Sequence, residues 1–106
     1  MRVFRLIIII IYLMSLSRVN AVNITGSNTI NSDSSTQQVY NADETSLTIT
    51  NSSTLSRTGQ APVNINGKDD GTLTINSGSS ITATSHNTVQ GKDQDGLTVT
   101  NSGTIS

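Results

Sequence analysis

The stretch LTITNSSTL (47–55) recurs as LTINSGSSI (73–81) and LTVTNSGTI (97–105), and VNITGSNTI (22–30) is a fourth version of the same nine-residue phrase. The first residues of the four copies, Val22, Leu47, Leu73 and Leu97, lie 25, 26 and 24 positions apart. A period in the twenties marks stacked structural units, each burying its apolar side chains mainly against its neighbours above and below. Within each copy Leu-Thr-Ile-Thr or its equivalent alternates apolar and polar residues, the two-residue period of a strand with one dry and one wet face. Val, Ile and Thr suit a pleated surface, and the Asn/Ser/Gly cluster that follows turns the chain. A second short strand then presents Ile30, Leu55, Ile81 or Ile105, six positions after Ile24, Ile49, Ile75 or Val99. Apolar residues separated by two and then six positions do not share one helical face.

Working outward, Val39, Val63 and Val89 mark a third, looser position in each period, and APVNINGKDDGT (61–72) reads as an inserted loop carrying the only proline. Stacking the units aligns four apolar ladders: Val22/Leu47/Leu73/Leu97, Ile24/Ile49/Ile75/Val99, Ile30/Leu55/Ile81/Ile105 and Val39/Val63/Val89. Successive members are expected about 4.8 Å apart if neighbouring strands pair in parallel. The expected fold is all-β, a right-handed parallel β-helix (solenoid) of about four coils. Its period is about 25 residues, with three strand-like sides per coil and loops at the corners. A disordered Ser/Thr/Asn-rich tract is the reading that composition alone favours. The apolar positions held in register across the units argue against it. Tyr40 is the only aromatic residue beyond position 21, so the core must be built from aliphatic ladders.

The segment 1–21 is of a different kind. Arg2 and Arg5 precede the apolar run Leu6–Met14, and Val19 and Ala21 supply small residues at the minus-three and minus-one positions of a cleavage site. This is the pattern of a secretory signal peptide, 1–21, and the run is shorter than the ~20 residues that span a bilayer. An uncleaved anchor is the competing reading, since Arg18 lies close to the cleavage point. Cleavage after Ala21 leaves 22–106, with Arg57, Lys68 and Lys92 against seven acids, a net charge of −4. Such a surface has no electrostatic footprint for nucleic acid or anionic lipid. There is no cysteine, hence no disulfide framework or thiolate metal site.

The phrases SLTITNSSTLS (46–56), TLTINSGSSIT (72–82) and GLTVTNSGTIS (96–106) resemble the repeats in passenger domains of Gram-negative autotransporter proteins. The resemblance covers 22–106. It implies export, a right-handed parallel β-helix, and adhesion or surface presentation through contacts with host or matrix glycans or proteins. Family members are similar in carrying a C-terminal outer-membrane barrel. No barrel-like series follows Ser106 here, so a truncated or remnant passenger is what the resemblance leads one to expect. The expected location is the periplasm or the medium, or the cell surface as part of a larger autotransporter.

Candidate chemistry is sparse. GKDDG (67–71) and GKDQDG (91–96) are expected at the same corner of successive coils, bringing Asp69, Asp70, Asp93 and Asp95 near one another, and oxygen-rich clusters bind calcium. Neither loop has the far-end acid of an EF-hand, and Lys68 and Lys92 offset their charge, so solvated turns are the expected outcome. Asn51, Asn76 and Asn101 suggest a stacked asparagine ladder, but Asn76 lies one place out of step. Asn23-Ile24-Thr25 and Asn51-Ser52-Ser53 fit the glycosylation sequon, as chance matches in such a composition do. His86 sits in an Asn/Ser/Thr corner without a nucleophile–base arrangement, and no pair of carboxylates spans a cleft as glycoside hydrolysis requires. No catalytic, cofactor-binding or metal-binding residue is therefore assigned, and no cofactor is expected. The reading is non-enzymatic and adhesive; the alternatives are a structural spacer or nonfunctional remnant, and a small secreted polysaccharide-degrading enzyme. No polar cap is recognisable at either end of the stack, so end-to-end self-association is expected.

Overall fold

The computed structural model describes residues 21–106; the segment 1–21 read above as a signal peptide therefore lies outside the described residues, except for Ala21. All regular structure among them is strand: β1 (Ala21–Ile24), β2 (Ser27–Ile30), β3 (Gln37–Tyr40), β4 (Ser46–Ile49), β5 (Thr54–Thr58), β6 (Val63–Asn64), β7 (Thr72–Ile75), β8 (Ser80–Thr84), β9 (Val89–Gln90), β10 (Thr98–Asn101) and β11 (Thr104–Ile105). They form three sheets, ordered β1-β3-β6-β9, β10-β7-β4-β2 and β11-β8-β5, and every pairing is parallel. The chain visits the first, second and third sheets in the same order four times. In the first circuit the third sheet is represented only by Ser34, bridged to Leu55.

Alternation drives the packing. In β4 and β7, Leu47, Ile49, Leu73 and Ile75 are buried while the Ser and Thr between them are half-exposed. Leu55 and Ile81 point into the same core from the third sheet, and Tyr40 and Val63 from the first, with Ile65 just beyond β6. Gly71, one circuit on, packs against the Tyr40 ring: a Cβ there would sit 3.1 Å from Tyr40 Cε2. The Tyr40 hydroxyl donates to the Thr72 carbonyl at 2.6 Å, so the one buried phenol is satisfied within the stack.

The register differs from the sequence expectation in three places. Val63 pairs with Gln38, and Val39 pairs with Asn64, so the ladder Val39/Val63/Val89 does not form. Its inward positions are Val22, Gln38, Val63 and Val89, and the next inward pair is Ile24 and Tyr40. A one-residue slip carries a side chain to the opposite face, and Val39 and Tyr40 are both plausible core residues from sequence. The segment read as a loop, 61–72, also contains β6 and the buried Ala61, Pro62, Val63 and Ile65.

The second difference is in the first copy. Val22 and Ile24 belong to the first sheet, while Asn28 and Ile30 are the residues beneath Leu47 and Ile49. Ile30 therefore lies in the second sheet, not beneath Leu55. The first circuit is short: Ala21 already meets its partner at Gln37, whereas Ser46 meets its own only at Thr72. Its first corner is only Thr25-Gly26, with Gly26 at φ +63°, a left-handed turn that glycine adopts without steric cost.

In the fourth copy, Val99 pairs with Leu73 and Asn101 with Ile75, two positions away from the expected Leu97–Leu73 and Val99–Ile75. The preceding corner imposes this. Asp95 N–H donates to Asp69 Oδ1 at 2.9 Å, Asp70 N–H to the Asp95 carbonyl at 2.8 Å, and Thr98 N–H to the Gly71 carbonyl at 2.9 Å. These bonds hold a step of 26 positions through the turn and set Leu97 over Gly71, whose missing side chain leaves room for it. The third-sheet ladder Leu55/Ile81/Ile105 forms as expected.

Candidate hydroxyl face and acidic corners

The outward positions of the second sheet form the most regular feature of the surface. Ser27, Ser46, Thr72 and Thr98 stand in one row, and Thr29, Thr48, Thr74 and Thr100 in another. The two rows run unbroken through all four circuits, whereas the inward rows of the same sheet are interrupted by Asn28 and Asn101. Rows along a strand are two positions apart, about 6.6 Å, and successive strands about 4.8 Å, so eight hydroxyls form a two-dimensional grid. The strands that carry it contain no ionisable residue. On the third sheet the outward hydroxyls pair among themselves: Thr54 with Ser80 at 3.0 Å and Thr82 with Ser106 at 3.3 Å. No such pairing occurs on the second sheet among the described residues. The Leu-Thr-Ile-Thr alternation announces outward threonines, but only the register reveals that they align across circuits, with Ser27 and Thr29 included.

The corner between the first and second sheets holds the acids other than Asp33, which accepts Thr54 N–H beside the third sheet. Asp43 Oδ1 accepts Asp69 N–H at 3.0 Å and Asp69 Oδ1 accepts Asp95 N–H at 2.9 Å, a stack whose step is 26 positions. Glu44 and Asp70, the next residues, take the left-handed conformation at φ +58° and +53°, and Gly96 at φ +72° takes the third such position. The two Gly-Lys-Asp loops do share a corner, as expected, and Asp43 and Glu44 occupy its first level. The Asp43 and Asp69 carboxylates are structural: each replaces water at a turn N–H that the sheet leaves unpaired. Among the described residues no group of three or more acids or histidines is arranged to hold a metal ion.

Asp93 is displaced from this stack. With Lys92, Asn64, Asn66, Gly67 and Gln90 it lines a polar hollow of about 280 Å³. A larger hollow of about 500 Å³ is lined by Ser35, Ser56, Arg57, Thr58 and Thr84. Arg57, which sequence reasoning passed over, donates through Nη1 to the Ser35 carbonyl and through Nη2 to Gln60 Oε1, both at 2.8 Å. It fastens the irregular segment before β3 to the strand above it, a clamp across two circuits.

The remaining candidates separate in space. Asn51 donates to the Asn31 carbonyl at 3.1 Å, Asn76 to Thr50 Oγ1 at 2.9 Å, and Asn101 lies in β10, so no asparagine ladder forms. Ser53, the third residue of one sequon, is buried, and Ile24, the middle residue of the other, packs in the core. His86 is exposed in a bend with Ser and Asn neighbours. No protein-family model, curated protein or solved structure matches the chain.

Proposed function

We propose that residues 22–106 form a right-handed parallel β-helix of four coils that acts as an exported, non-enzymatic surface module, making adhesive contacts through its hydroxyl-bearing sides. The observation that carries this reading is the unbroken pair of outward Ser/Thr rows on the second sheet. A parallel strand–corner–strand path visiting three sheets in fixed order supports the β-helix, and the strong preference of parallel crossovers supports its right hand. Two ordered rows of donors and acceptors favour many weak, simultaneous hydrogen bonds over one deep pocket. Autotransporter-like display, the role inherited from the resemblance, would offer this face to glycans or matrix proteins.

Expression of the whole chain in a Gram-negative host tests both halves of the reading. Export predicts a periplasmic or secreted product beginning at Val22, and adhesion predicts retention on glycan- or matrix-coated surfaces that weakens when Thr48 and Thr74 are replaced by Tyr. A membrane-bound product retaining Met1 would replace export by anchoring. Equal retention of the variant and the parent would remove the hydroxyl face from the adhesive role.

A further inference from the structure

We infer that the hydroxyl face of the second sheet is an ice-binding surface, its partner the ordered oxygen lattice of frozen water; this rests on the reading of that face as the contact surface. Three observations favour a crystal of water over a sugar polymer or a protein. The hydroxyls repeat in two dimensions, at about 4.8 Å across strands and about 6.6 Å along them, a periodic array of the kind that a crystal face presents and a single flexible polymer does not. Sugar rings are gripped on flat protein surfaces by exposed aromatic rings, and the one aromatic residue among the described residues, Tyr40, is buried with 0% exposure. Charge also matches: the four strands of the face carry no ionisable side chain, as suits an uncharged crystal, while the acids and lysines lie at the corners.

The chemistry is adsorption without reaction. Each Thr offers a hydroxyl that both donates and accepts, beside a methyl group that restrains the water lodged between rows. Six of the eight grid positions are Thr, and the two Ser, Ser27 and Ser46, lie in the same row. One such hydrogen bond is weak because water competes for it. Eight held on a rigid sheet engage a lattice together, so the ordering cost is met in the fold before contact. Bound molecules pin the growing crystal front and curve it between them, which lowers the temperature at which it advances.

Nanolitre osmometry and recrystallisation assays on the exported chain test this. The expected result is a gap between melting and freezing, with shaped crystals, that is lost in Thr74→Tyr at the centre of the grid and kept in Thr82→Tyr on the third sheet. Circular dichroism of both variants separates loss of the face from loss of fold; if Thr74→Tyr unfolds, Thr48→Val, which keeps the shape and removes the hydroxyl, takes its place and is expected to reduce the gap. Parent protein indistinguishable from buffer, or equal loss in the second- and third-sheet variants, would overturn the inference. Absence of ice activity together with glycan retention that depends on Thr74 would overturn it while leaving the adhesive reading intact; absence of both would remove both.

Discussion

Ile75 sits between Ile49 and Asn101 in the second sheet and is fully buried, while Thr74 beside it faces outward. Removing most of such a side chain costs about 2–5 kcal/mol, and Ile75→Asp adds an unpaired charge among aliphatics. Ile75→Asp is expected to abolish the β-sheet signal in circular dichroism, and Thr74→Asp to leave it nearly unchanged. Equal tolerance of both would refute the inward and outward assignment. Tyr40 gives a second test. Burial raises its phenol pKa well above the usual value near 10, so the folded state holds the proton after the unfolded state has released it. The stability from this protonated phenol is complete below about pH 10 and declines above it by about 1.4 kcal/mol per pH unit until the folded group ionises. Denaturant midpoints measured from pH 8 to 11.5 are expected to fall only above pH 10, and Tyr40→Phe to flatten that fall.

At the scale of the element, the corner stack Asp43–Asp69–Asp95 explains why the second sheet keeps a step of 26 positions where the last two repeated phrases suggest 24. The Asp43 and Asp69 carboxylates each bind the N–H one circuit on, so the turn, and not the strand, sets where β10 docks. Asp69 is both acceptor and donor in the stack, and Asp69→Ala leaves the Asp95 N–H to water and frees the fourth circuit to slip. A loss of about 1 kcal/mol is expected at this exposed site, with Asp69→Asn recovering most of it. Faster amide hydrogen exchange in β10 and β11 than in β4 and β7 would accompany the Ala variant; unchanged exchange would show that the corner does not hold the register. Millimolar calcium is expected to leave the thermal midpoint unmoved, because Asp43 and Asp69 already accept backbone N–H groups through one carboxylate oxygen each and the neighbouring acids are not arranged as a ligand set.

At the scale of the whole molecule, the two ends are unlike. The first circuit is narrow, and two of its inward positions are the polar residues Asn28 and Ser34. Asn28 Nδ2 lies within hydrogen-bond reach of the Thr25, Gly26 and Ser46 carbonyls at 3.0, 3.2 and 3.3 Å, a polar closure that sequence reading did not foresee. The fourth circuit leaves Val99 46% and Ile105 37% exposed among the described residues. In an isolated 22–106 segment, association is expected through this circuit, giving a finite pair of copies in preference to an open chain. Light scattering across a concentration series is expected to show dimer that Val99→Lys dissociates and Val22→Lys does not. A monomer at every concentration, or a ladder of larger species, would contradict this.

The alternation in 47–55, 73–81 and 97–105 was sufficient by itself to establish strands, their inward residues Leu47, Ile49, Leu55, Leu73, Ile75 and Ile81, and the stacking of repeated units, because side-chain direction along a strand is a local property. Sequence spacing also placed the acidic loops at one corner and argued against an asparagine ladder. The tertiary structure decided the register at both ends. Whether Val39 or Tyr40 faces inward, whether Leu97 or Val99 lies on Leu73, and which sheet receives Ile30 all depend on which backbone groups bond between circuits. Such pairing is set by turn geometry and by contacts a whole circuit apart in the chain, such as Ala21 with Gln37 and Ser46 with Thr72. A shift of two positions preserves the local alternation and leaves no mark on the pattern. The hydroxyl grid belongs to the same class: its threonines are visible one strand at a time, and their alignment into rows exists only once the circuits are stacked.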